Sequence, residues 1–205
     1  MEMLRQAQLD IAAKILNNCG VIAFPTETVY GLGVIYDNKE AYDKLVQVKR
    51  RPPEKPFTMM LSDVEDVEKY AKLSKVSRAL VKAFMPGQFT LLTEAQPGLP
   101  MWCISETGTV GIRIADYDLI RNLIRKTGKP LLVPSANKAG ETPATTSEEV
   151  KSTLGAELDA IIEGASVSNT PSTIVLVQGD EVKIIRAGII SIEQINEVIK
   201  KETEK

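Results

Sequence analysis

Val21-Ile22-Ala23-Phe24-Pro25-Thr26-Glu27-Thr28-Val29-Tyr30-Gly31-Leu32-Gly33 is the stretch from which the rest of the chain is read. Its first four residues are apolar and predict a short buried strand. Pro25 stops that strand, because it has no N–H to give a central ladder. Two threonine hydroxyls, a carboxylate and a phenol then crowd into Thr26 to Tyr30. Gly31 and Gly33 close the loop, where a ligand or a second backbone can come near. The plainer alternative is a decorated strand-to-loop turn, and composition alone does not separate the two.

Outward from this stretch, strands and helices alternate. Helical spacing is read at Leu4 to Leu16, Lys39 to Val48, Tyr117 to Thr127 and Ser147 to Leu154, with one or two helices over Val64 to Phe84. A last helix covers Ile192 to Lys201, opened by Ser191 with Gln194 three positions on, a capping box. Strands are expected at Phe57 to Leu61, Phe89 to Thr93, Thr109 to Ile114, Leu131 to Val133, Ala160 to Ile162, Thr173 to Val177 and Val182 to Ile185. Residues 95–108, around the single tryptophan Trp102, read as a mobile loop. The alternation argues an α/β or α+β fold, a sheet covered by helices. At 205 residues one domain, 1–205, is the natural reading.

Composition removes several chemistries. The chain has no histidine, which excludes a Ser-His-Asp or Cys-His nucleophile within one chain and an imidazole-ligated zinc. Its two cysteines, Cys19 and Cys103, are isolated and read as reduced thiols of a cytoplasmic protein. A net charge of −2 argues against broad non-specific nucleic-acid binding. No apolar run is long enough to span a membrane. Any catalysis must rest on lysine, arginine, hydroxyls, carboxylates and a phosphate-bound Mg²⁺.

Polar clusters recur just after apolar strands: Pro25 to Tyr30, Pro134-Ser135-Ala136-Asn137 and Arg186-Ala187-Gly188. In open α/β sheets ligands bind beyond strand ends, so these clusters meeting on one edge would build a polar site. Lys49, Arg51 and Lys55 sit in a proline-stiffened segment suited to phosphate oxygens. The alternative there is a solvated basic loop. Arg113, inside Val110-Gly111-Ile112-Arg113-Ile114, is either an outward strand residue or a carboxylate clamp. Thr145-Thr146-Ser147 reads equally as an ordinary helix cap, and Ser172-Thr173 as turn chemistry.

Taken in order, Pro25-Thr-Glu-Thr-Val-Tyr-Gly-Leu32, Lys49-x-Arg51-Pro52, Val110-Gly-Ile-Arg113, Pro134-Ser-Ala-Asn137, Ser172-Thr-Ile-Val175 and Ile185-Arg186-x-Gly188 resemble the YrdC/TsaC family of L-threonylcarbamoyladenylate synthases. The resemblance runs from about Val21 to Gly188. It implies a twisted mixed open sheet flanked by helices around a large basic cavity, in the single-domain form. It implies a nucleotidyltransferase that makes threonylcarbamoyl-AMP and pyrophosphate from L-threonine, bicarbonate or CO2, and ATP with Mg²⁺. A downstream threonylcarbamoyltransferase would pass the group to tRNA. By motif position Thr28, Arg113, Ser135 and Ser172 would hold threonine. Arg51, Lys55, Thr109, Asn137, Thr145 and Arg186 would hold ATP, with Lys49 and Arg51 as the catalytic cations at the phosphates and no metal held by protein side chains. Lys55 and Met60 depart from the common pattern, and Met60 bears on threonine binding. The competing readings are an RNA-binding module, with at most weak RNA contact here, and a paralogue of the same fold without this activity.

Overall fold

The computed structural model describes residues 1–50, 56–168, 170–179 and 181–203. In chain order the elements are β1 (Glu2–Leu4), α1 (Leu9–Asn17), β2 (Ile22–Phe24), β3 (Gly31–Ile35), α2 (Lys39–Lys49), β4 (Met59–Met60), α3 (Val67–Tyr70), α4 (Lys75–Phe84), β5 (Phe89–Glu94) and β6 (Thr109–Arg113). They continue as α5 (Asp118–Thr127), β7 (Leu131–Leu132), α6 (Ser147–Leu154), β8 (Ala160–Ile162), β9 (Thr173–Gln178), β10 (Glu181–Arg186) and α7 (Ile192–Thr203). The strands form one mixed sheet in the order β1-β8-β2-β3-β7-β4-β6-β5-β9-β10.

Two expectations about the elements change. Gly31 and Gly33 do not close a loop; they open β3, which pairs antiparallel with β2, Phe24 opposite Gly31 and Ile22 opposite Gly33. The glycines are needed there for room. A Cβ on Gly33 would lie 2.5 Å from Phe24 Cε1, and one on Gly31 would lie 2.8 Å from Val133 Cγ1. The first helix begins at Leu9, and Glu2–Leu4 is instead the edge strand β1, paired parallel with β8.

Residues alternate across a strand, and here the alternation separates two apolar clusters. Ala23, Met59, Ile112, Leu132 and Ile161 belong to one, packed with Leu45 of α2, Leu80 of α4, Val150 of α6 and Ile195 of α7. Ile22, Phe24, Met60, Leu131 and Ile162 belong to the other, packed with Leu16 of α1 and Ile120 and Leu123 of α5. Met60 therefore lies in the core. It stands opposite Arg113 in register, but it is absent from the cavity wall described below.

The second face changes character along the sheet. Beneath α1 and α5 it is apolar. Over β6, β5 and β9 the positions of the same parity are Thr109, Gly111, Arg113, Thr90, Leu92 and Ile174, as the registers Met60↔Arg113, Leu92↔Gly111 and Thr90↔Ile174 require. All six line a cavity of about 520 Å³. The site thus lies on the face of the sheet as well as beyond strand ends, which corrects the expectation of a rim site alone.

Residues 95–108 are pinned at several points. Trp102 stacks on Tyr42 with ring centroids 5.7 Å apart, and its Nε1 donates to the Tyr36 carbonyl at 2.9 Å. The Ala95 N–H donates to the Gly108 carbonyl at 3.0 Å. Buried Cys103, whose thiol is pushed up to about 12 by burial, is anchored in the core with them.

Candidate active site

β6 brings Arg113 to the cavity floor, and the loop after β2 brings Thr26, Glu27 and Thr28 against it. Arg113 Nη2 donates to Glu27 Oε1 at 2.8 Å and to Thr28 Oγ1 at 3.1 Å. Glu27 Oε1 also accepts the Asp116 N–H at 3.2 Å. The guanidinium is thereby braced from one side. Among the described residues its Nε, like Glu27 Oε2, is buried without a hydrogen-bond partner.

The far wall is built by β9 and β10. Arg186 Nε and Nη2 donate to the Ser172 carbonyl at 3.0 and 2.8 Å, and Nη2 also reaches Ser172 Oγ at 3.0 Å. Ser172 Oγ lies 2.9 Å from Thr90 Oγ1. Gly188 permits this seat, since a Cβ there would meet Thr173 N at 2.5 Å and the Pro171 carbonyl at 2.6 Å. Burial, and then the positive Arg113 nearby, lower the pKa of Arg186. Two guanidiniums therefore face one space, and among the described lining residues there is no carboxylate. Thr28, Ser135, Thr58 and Thr109 supply hydroxyls, and Phe57, Leu92, Ile174 and Ile185 supply apolar wall. An anionic group with an apolar or aromatic body suits this lining.

The structure brings together Thr28, Arg113, Ser135, Ser172, Thr109 and Arg186 around the cavity. It does not bring Thr145 or Asn137 to the wall. Thr145 donates through N–H and Oγ1 to Glu149 Oε2 at 2.7 and 3.1 Å, beside the capping box of Thr146 and Glu149 that opens α6; the helix-cap alternative describes it. Asn137 Nδ2 donates to the carbonyls of Lys138 and Glu141 at 2.8 and 2.9 Å, and Oδ1 accepts from Lys49 and Ser135. Lys49 is buried at the end of α2 beneath the same loop. Arg51 and Lys55 lie outside the described residues. Tyr30 is a core residue; its phenol donates to the Ile162 carbonyl at 3.0 Å, and burial drives its pKa upward.

Thr26, Glu27, Thr58 and Thr90 were not assigned roles from sequence. The signal for Glu27 was Arg113 itself, a charge inside an apolar strand that needs an acidic partner. Thr90 is found only from its pairing register, and Thr58 only from its place in the cavity wall just before β4.

The family model for Sua5, YciO and YrdC proteins, described as telomere recombination, matches residues 14–188. The chain belongs to the Sua5/YciO/YrdC family. A threonylcarbamoyl-AMP synthase of Bacillus subtilis is 34% identical over 195 residues, covering 94% of this chain and 56% of that protein. The threonylcarbamoyl-AMP synthase of Vibrio campbellii is 36% identical over 165 residues, 78% of this chain and 89% of the relative. Among solved structures, P. abyssi Sua5 complexed with L-threonine superimposes with a TM-score of 0.89 at 27% identity, covering 97% of this chain and 60% of that one. The chain thus spans little more than half of the B. subtilis and P. abyssi relatives. Its mixed sheet with flanking helices is the Sua5 fold.

Proposed function

We propose that this family member is a threonylcarbamoyl-AMP synthase, a nucleotidyltransferase acting on L-threonine, bicarbonate or CO2, and ATP. The observation that carries the reading is the braced Arg113 in a wall that also holds Arg186, Ser172 and Ser135 and, among the described residues, no carboxylate. The synthase names of the relatives and the threonine complex of P. abyssi Sua5 support it.

In the proposed reaction the threonine amine attacks CO2, supplied as such or from bicarbonate with loss of water. The N–C bond forms, the amine loses a proton, and a carbamate results. A carbamate oxygen then attacks the α-phosphorus of ATP. The bond to the β-phosphate bridging oxygen breaks, and pyrophosphate leaves. Arg113 and the hydroxyls of Thr28, Ser135 and Ser172 hold the amino acid, while Arg186 and Thr109 face the nucleotide. Fixed cations and positioning supply most of the catalysis for such a transfer. Among the described residues no cluster of acidic or thiol side chains could hold a metal. Mg²⁺ carried on the ATP phosphates would neutralise charge there. Among the described residues no helix is long and apolar enough to cross a membrane. In this reading the product passes to a tRNA-modifying threonylcarbamoyltransferase in the cytoplasm.

The test is pyrophosphate release from ATP and Mg²⁺, with and without bicarbonate, with threonine or valine. Threonine should exceed valine by roughly a hundredfold or more, because polar groups placed for a substrate hydroxyl are left unpaired by the isostere. Equal rates with the two amino acids, or release independent of both, would overturn the reading.

A further inference from the structure

Lys49 ends α2 and is only 3% exposed, an unusual place for an ammonium. Its Nζ donates to the Ser135 carbonyl at 2.6 Å, to the Asn137 carbonyl at 2.6 Å and to Asn137 Oδ1 at 3.1 Å. The backbone carbonyl of Lys49 accepts the Ala139 N–H at 2.9 Å. One residue thus grips the loop at 135, 137 and 139.

The loop is shaped by that grip. Asn137 Oδ1, held by Lys49, accepts the Ser135 hydroxyl at 2.5 Å. Between them Ala136 is buried, its N–H on the Tyr30 carbonyl at 2.7 Å and its carbonyl on the Ala144 N–H at 3.0 Å. Of these residues Ser135 lines the cavity, and Lys49 and Asn137 do not.

We propose that Lys49 is a positioning residue: its ammonium fixes the Ser135-Ala136-Asn137 turn and so the direction of the Ser135 hydroxyl, and it does not itself bind a phosphate. Turning Nζ toward a nucleotide would take a charged donor from all three acceptors. Asn137 Oδ1 would keep the Ser135 hydroxyl, and the Ser135 carbonyl the Asn137 N–H at 3.1 Å. The Asn137 carbonyl would lose its one donor among the described residues, and a buried acceptor left without a donor is penalised. A lysine acts on phosphate as a mobile point charge. Here the charge is fixed between the backbone of one loop and the end of one helix. The role deepens the synthase reading, because the hydroxyl it aims faces the substrate space.

The experiment begins with the wild-type chain, isotopically labelled. Lys49 Nζ should show through-hydrogen-bond couplings to the carbonyl carbons of Ser135 and Asn137, and keep them when ATP and Mg²⁺ are saturating. Absence of the couplings in the free protein, or their loss on ATP addition, overturns the proposal. This measurement requires no turnover, so it stands apart from the test of the synthase activity. Lys49→Met keeps the stem and removes the donors. In it the amides of 136–144 should exchange about tenfold faster or more, as expected for a locally loosened unit. ATP binding should keep the salt dependence of the wild type, since losing a phosphate contact would flatten it. Turnover with threonine should fall at least tenfold with the KM for ATP within about threefold, by the loss of oriented charge-assisted bonds. Lys49→Arg should not rescue, because a planar fork cannot place its donors on three convergent oxygens. Rescue by arginine, or a flattened salt dependence with unchanged amide exchange, overturns the proposal. Should Lys49→Met fail to fold, the wild-type couplings decide alone.

Discussion

Arg113 Nη2 lies 2.8 Å from Glu27 Oε1, with side chains 10% and 8% exposed and a separation of 86 positions in sequence. This pair ties the loop after β2 to the C-terminal end of β6. Removing one partner of a buried pair leaves an uncompensated charge, which costs about 3–5 kcal/mol. Glu27→Ala should therefore lose stability on that scale in urea unfolding, and Glu27→Gln, which keeps an acceptor for Nη2, distinctly less. A Glu27→Ala protein within about 1 kcal/mol of wild type would show that Arg113 does not depend on this carboxylate.

The glycines of β3 make a second prediction. The Cβ of alanine at 33 would fall 2.5 Å from Phe24 Cε1 and 3.0 Å from Cζ. Overpacking of this kind costs about 1–3 kcal/mol. Gly33→Ala should lower the thermal midpoint, and Phe24→Leu added to it should restore part of the loss. Simple additivity of the two changes would mean that ring and glycine do not share the space, since coupled neighbours deviate from additivity.

How far the sequence could be read follows from which partners a residue needs. β2 was legible because Val21 to Phe24 is apolar and Pro25 ends it. β1 was not, because Glu2–Leu4 is a strand only through its parallel partner β8 near the other end of the chain. Gly31 and Gly33 read as loop residues because their reason, the ring of Phe24, lies on the neighbouring strand. Arg113 stood out as a charge inside an apolar run. Asn137 and Thr145 have the right chemistry for a nucleotide, but sequence does not say which way an amide or hydroxyl is spent. The backbone of Lys138 and Glu141 claims one, and Glu149 claims the other.

Acid stability should carry the mark of Asp63. Arg125 donates to both of its oxygens, and this, with a bond to Ser62, holds the carboxyl near 2 against an ordinary 3.8. A carboxylate whose folded pKa is depressed stabilises the fold above its unfolded value and loses that contribution as the pH falls through the folded one. The window is therefore from 3.8 down to 2. The side chains are 34% and 43% exposed, so solvent screening keeps the effect to about 1 kcal/mol at most. The stability difference between wild type and Asp63→Asn, followed by denaturation against pH, should be constant above this window and shrink through it. A difference that grows on acidification would contradict the assignment.

The last prediction concerns Thr26, which touches Thr28 and not the cavity. Thr26 Oγ1 donates its single proton to the Val29 carbonyl at 2.7 Å. It must therefore act as acceptor in its 2.9 Å contact with Thr28 Oγ1. Thr28 in turn accepts from Arg113 Nη2. The chain of protons runs one way, from guanidinium to Thr28 to Thr26 to backbone, and it leaves Thr28 with acceptor capacity toward the cavity. An amino-acid ammonium is the group such an oxygen would favour. Thr26→Val fills the same volume, removes the acceptor, and frees the Thr28 proton to turn toward the substrate. The Thr28 N–H, 3.1 Å from Thr26 Oγ1, loses its acceptor as well. A buried donor left unpaired costs about 1–3 kcal/mol, so threonine affinity should fall roughly tenfold to a hundredfold while ATP affinity holds. Thr26→Ser, which keeps the hydroxyl, should behave as wild type. Calorimetric titration of each variant with threonine and with ATP separates the two substrates. Wild-type threonine binding by Thr26→Val would show that the orientation of Thr28 is set elsewhere.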